Sequence, residues 1–112
     1  MVTKVYDKNV RYGTSFFGET IAASKADLIE LFGEPVYTKD FTEFCKTYNE
    51  WVFKTDEGFI FTLYDYKEDE YNDYEVIDWH IGAKNRFYSE KAKSIVYNLL
   101  NEMYESFNKN NT

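Results

Sequence analysis

Between Thr47 and Tyr66 the hydrophobic positions recur at every second residue. Trp51 and Phe53 alternate with Glu50 and Lys54, and Phe59, Phe61 and Leu63 then alternate with Ile60, Thr62 and Tyr64. This is the period of strands that lay one face on a core. Asp56-Glu57-Gly58 between the two runs is a turn signal, so together they predict an antiparallel hairpin, Thr47 to Thr55 and Phe59 to Tyr66. A third run, Glu75 to Ile81, sets Ile77, Trp79 and Ile81 against Val76, Asp78 and His80 and adds another strand. Upstream, Glu19 to Ala23 reads as strand, with Gly18 before it marking a bulge or a close backbone approach.

Twice the period changes to three and four. Ser24 has the character of an N-cap, Asp27 stands at the capping-box position, and Leu28, Ile29, Leu31 and Phe32 form an apolar stripe. Gly33 and Pro35 then end a short helix. Gly82 reads as a strand break and Ala83 to Arg86 as a polar connection. From Ser89 to Phe107, the residues Ala92, Ile95, Val96, Leu99, Leu100, Met103 and Phe107 define a long helix lying on a core. Residues 1–10 suit a short strand or a loose arm, and residues 108–112 a frayed tail. The order predicts an α+β fold, an antiparallel sheet of about four strands with the short helix and the long C-terminal helix packed on one face. Tyr48, Tyr64, Tyr66 and Tyr74 are then available on the other.

A length of 112 residues suits a single compact domain over residues 1–112. Composition adds one unusual feature: 21% of residues are aromatic, among them 11 Tyr. Charge adds another. The net charge is −7 and the pI near 4.7, which disfavours direct affinity for nucleic acid or an anionic membrane and favours a partner with a basic surface. Most of this charge falls between Asp65 and Asp78, where seven acids face one lysine. The acids Asp65, Glu68, Asp69, Glu70, Asp73 and Glu75, interleaved with Tyr64, Tyr66, Tyr71 and Tyr74, therefore form a candidate docking surface, unless they serve only as a solvated loop. Cys45 is the lone cysteine and reads as a buried inert thiol. No stretch has the apolar length of a signal core or a membrane span, so a cytoplasmic protein is expected.

Motifs for catalysis are sparse. His80 is the only histidine, and neither Cys45 nor any serine stands in a recognisable nucleophile signature. Asp78 and His80 share a strand face, with Asp65 or Glu50 as further ligand candidates, but no second His or Cys completes a familiar metal set. Gly13 to Gly18 matches neither phosphate-binding spacing. Neither a catalytic residue, a resident metal nor a cofactor is expected. A different pocket is conceivable at the strand-to-helix connection, where Trp79, His80, Lys84, Asn85 and Arg86 bring amides, cations and rings together for a nucleotide.

Gly13-Thr14-Ser15, Ile21-Ala22-Ala23-Ser24, Leu31-Phe32-Gly33-Glu34-Pro35, Glu50-Trp51, Asp56-Glu57-Gly58, Tyr64-Asp65-Tyr66-Lys67 and Trp79-His80-Ile81-Gly82 together resemble a group of small, mostly uncharacterised bacteriophage proteins with FGEP and WHIGG-like segments. The resemblance runs over roughly residues 13–100, with Ala83 in place of the second glycine. It implies a phage accessory protein, a kind that often acts against host defence or redirects host enzymes. Joined to the acidic, tyrosine-rich segment, it implies a non-enzymatic inhibitor of a host defence enzyme, acting by mimicry of nucleic-acid charge. A sponge that sequesters a nucleotide immune signal is the alternative, and a small metal-dependent hydrolase using Asp65, Asp78 and His80 a second alternative. Exposed aromatic strands would also suit a homodimer.

Overall fold

The computed structural model describes residues 2–38, 47–66 and 71–110. Its sheet has six strands, two more than the sequence pattern predicts: β1 (Val2–Lys4), β2 (Ser15–Ser24), β3 (Tyr37–Thr38), β4 (Thr47–Thr55), β5 (Ile60–Tyr66) and β6 (Val76–Ala83). All pairs are antiparallel, in the order β1-β4-β5-β6-β2, with β3 on the same edge of β4 as β1. The extra strands are β1 and β3, three and two residues long, too short for any period to declare. The N-terminal segment is thus a strand and a turn of 3-10 helix, Lys8–Arg11, rather than a loose arm.

One face of the sheet carries α1 (Lys25–Phe32) and α2 (Arg86–Asn110). Alternate residues of the three central strands supply that face: Trp51 and Phe53, Phe61 and Leu63, Ile77, Trp79 and Ile81 are all buried. Ala92, Val96 and Leu100 close the layer from α2. The two indoles meet edge to face at 5.3 Å, and each finds an acceptor, Trp51 Nε1 donating to the Gly33 carbonyl and Trp79 Nε1 to the Ala23 carbonyl, both at 2.9 Å. Buried indoles keep their N–H groups bonded because leaving one unpaired costs about 1–3 kcal/mol.

The predicted cap of α1 is present, and α2 has one of its own. Ser24 Oγ accepts from the Asp27 amide at 3.1 Å, and Gly33, at φ 80°, returns its N–H to Ile29. For α2 the cap is Asn85, whose side chain accepts from the Tyr88 amide at 2.9 Å, so the helix starts three residues before the predicted Ser89. Ser89 is instead buried within the first turns. Near its far end α2 runs beside α1, Tyr104 donating to Asp27 at 2.7 Å, and Phe107 is exposed although it lies on the predicted apolar stripe.

Gly82 does not break its strand. β6 runs on through Gly82 to Ala83, pairing with Thr62 on one side and Phe16 on the other. A Cβ at Gly82 would lie 2.6 Å from Thr62 Oγ1, so what this position requires is the absence of a side chain, not a turn. The predicted bulge at Gly18 is present: between the pairs Phe16↔Gly82 and Thr20↔His80, β2 takes four steps and β6 two, and Gly18 stands at φ 97°.

Candidate functional site

The face of the sheet turned away from the helices is half roofed and half open. Over β4 and β5 the N-terminal segment folds across it. The Val5 amide continues the β1–β4 edge pairing, donating to the Val52 carbonyl at 2.8 Å; beyond it the Lys8–Arg11 turn lies on β5 and Arg11 pairs with Glu50. Val52, Thr62 and Glu50 are buried in consequence, so β4 is covered on both faces rather than half buried as its alternation predicts.

Where the roof ends, a cluster of rings is left. Phe16 stacks on His80 with centroids 4.0 Å apart and planes 15° from parallel. Tyr66 and Tyr64 lie 5.3 and 5.5 Å from the same imidazole. These four come from three adjacent strands, all on the face opposite the helices, and Phe16 is 43% exposed. Cross-strand pairing assembles them: Tyr64 faces His80 directly, and Thr20 faces His80 from the other side beyond the bulge. Burial among these rings lowers the His80 pKa, with the Asp78 charge opposing it. The folded protein therefore favours neutral imidazole. The stability this gives is whole above the ordinary value of about 6.5 and is lost as pH falls through the lowered one. Melting followed by circular dichroism between pH 7 and 5 is expected to show Tm falling with pH, and a His80→Gln variant to flatten that slope. An identical slope in the variant would place its origin elsewhere.

The predicted acidic surface is redistributed. Asp65 is not on it: its position on β5 has the parity of Phe61 and Leu63, and it is fully buried on the helix-covered side. There its carboxylate accepts from the Asn49 amide at 2.8 Å, the Asn49 side chain at 3.1 Å and the Tyr71 hydroxyl at 2.5 Å. Tyr71 is likewise turned inward, edge-on to Trp79, and burial together with the Asp65 contact pushes its hydroxyl above the usual tyrosine range. Asp73, Tyr74, Glu75 and Asp78 are exposed, with Tyr64 and Tyr66 half buried in the ring cluster. Cys45, Glu68, Asp69 and Glu70, and the side chain of Tyr48, lie outside the described residues.

The predicted nucleotide pocket does not assemble as a unit. Trp79 is sealed in the core, Asn85 is committed to capping α2, and only the exposed Lys84 and Arg86 remain at the connection, while His80 belongs to the rings. Asp65 also cannot join Asp78 and His80 around a metal, because it projects from the opposite face of the sheet. Among the described residues no three His, Cys, Asp or Glu side chains are grouped to hold an ion, and no helix is long and apolar enough to cross a membrane.

Beside the rings, under the edge of the roof, lies an open cleft of about 360 Å³ between the Arg11–Ser15 turn and the strands, with Glu50, Thr62, Tyr64 and Gly82 on its strand side. Glu50 is one of the ligand candidates of the sequence and Tyr64 one of its docking tyrosines, whereas Thr62 and the Arg11–Ser15 turn were not predicted as site residues. Their meeting depends on a fold-back of the N-terminus that leaves no local signal. Comparison with family models, curated proteins and solved structures returns no match to this chain.

Proposed function

We propose that the chain is a non-enzymatic binding protein that occludes a basic surface of another protein with the ring-rich open face of its sheet, in the phage-type counter-defence role that its sequence resemblance implies. The observation that carries this reading is the Phe16, His80, Tyr64 and Tyr66 cluster, left partly exposed on the half of the outer sheet face that neither α-helix nor the N-terminal segment covers. Tyrosine offers large contact area at low entropic cost and is enriched among residues that dominate binding energy. Asp78 on the same face, and the exposed Asp73 and Glu75 in the turn before β6, add negative charge. Such rim charges act on the encounter rate.

The test is capture from a bacterial lysate at low and high salt, followed by kinetics with the protein identified. High salt is expected to weaken capture. Joint reversal of Asp73, Glu75 and Asp78 to lysine is expected to slow association about tenfold at low salt, with stability lowered by no more than about 1.5 kcal/mol, the Asn72–Glu75 hydrogen bonds being exposed. Capture and inhibition indifferent both to salt and to the triple reversal would remove the mechanism.

A further inference from the structure

The cleft beside the rings has a chemistry of its own. Its carboxylate, Glu50, has a side chain only 7% exposed and is paired with Arg11, whose guanidinium also lies 5.6 Å from the Tyr37 ring. An acceptor that is nine-tenths buried and a planar donor thus stand side by side at one wall. The floor is Gly82. Thr62 Oγ1, Tyr64 Cε1 and Thr14 Oγ1 lie 2.6, 3.5 and 3.6 Å from where its Cβ would be, so two hydroxyls and a ring edge converge on a space that any side chain at this position would fill. Thr14 Oγ1 is held by donating to the Arg11 carbonyl at 2.7 Å, which ties the turn's geometry to the cleft.

We propose that this cleft binds the guanine edge of a nucleobase or nucleoside. Guanine sets two neighbouring N–H donors, N1 and the 2-amino group, beside the O6 acceptor. A carboxylate takes the two donors in bidentate fashion and an adjacent guanidinium serves O6 and N7, as arginine does when it reads guanine. The Tyr64 ring edge adds an apolar contact at the floor. A volume of about 360 Å³ falls at the lower end of small-molecule sites, and the net charge of −7 favours a neutral base or nucleoside over a polyphosphate. This site shares Tyr64 with the docking surface above but does not rest on that reading.

Titration calorimetry and thermal shift on the intact chain, with guanosine, inosine, adenosine and cytidine each supplied alone, test it. Guanosine is expected to bind and raise Tm. Inosine, which lacks the 2-amino donor, is expected to bind about tenfold more weakly, and adenosine and cytidine more weakly again. Glu50→Gln is expected to abolish the preference for guanosine over inosine, and Gly82→Ala to abolish binding. Should either variant fail to fold, Tyr64→Leu replaces it, with guanosine affinity expected to drop severalfold as the ring edge at the floor is lost. The proposal is overturned if no nucleoside binds, if all four bind alike, or if the folded variants keep the wild-type affinities.

Discussion

Replacing Trp79 by alanine is expected to destabilise the protein by about 3–5 kcal/mol, the range for a large aromatic removed from a packed core. Trp79 is fully buried, lies against Trp51 at 5.3 Å and Tyr71 at 6.3 Å, and anchors β6 to β2 through its bond to the Ala23 carbonyl. Truncation opens a cavity at the centre of the layer and strands that carbonyl. A loss of this size lowers Tm by roughly 12–20 °C for a domain near 100 residues, measurable by calorimetry. Trp79→Phe is expected to fall between, since it restores most of the volume but not the N–H. Were Trp79 a wall of a surface pocket, alanine would change stability by no more than about 0.5 kcal/mol.

Asp65→Ala is expected to be nearly as damaging, at about 3 kcal/mol, because the Asn49 amide, its side chain and the Tyr71 hydroxyl would all lose their acceptor in a buried setting. Tyr71→Phe alone is expected to cost about 1–1.5 kcal/mol. Since the two side chains share one hydrogen bond, the double variant should be less unstable than the sum of the singles. Urea denaturation of the four proteins completes the cycle. An additive result, or an Asp65 variant as stable as the wild type, would mean the carboxylate is not held as described.

Both outcomes turn on parity, and parity was legible in the sequence. Phe61 and Leu63 define the inward face of β5, and continuing by two reaches Asp65. The same step through Ile77 and Ile81 includes Trp79. Treating Asp65 as part of an acidic surface and Trp79 as part of a pocket set aside a periodicity that already placed them inside. The hairpin, β6, the Ser24 cap and the apolar stripe of α2 were readable because period and capping are local. By contrast, β1 and β3 are too short to show a period, and the first turn of α2 precedes the apolar stripe that begins at Ala92, so its residues read as connection. The burial of Glu50, Val52 and Thr62 comes from a segment some forty or more positions away in the chain, which no window along it reveals. The ring cluster lies between these cases. Its tyrosines were readable as outward alternates, whereas Phe16 joins them only because the bulge at Gly18 sets the register of β2.

Hydroxyl-radical footprinting of the chain, free and bound to the protein it captures, tests most directly whether the open sheet face is the working surface. Phe16 and Tyr66 are expected to lose reactivity on binding while Phe87 and Tyr97 of α2, 62% and 56% exposed, keep theirs. Protection of the α2 residues with Phe16 and Tyr66 unchanged would contradict the account.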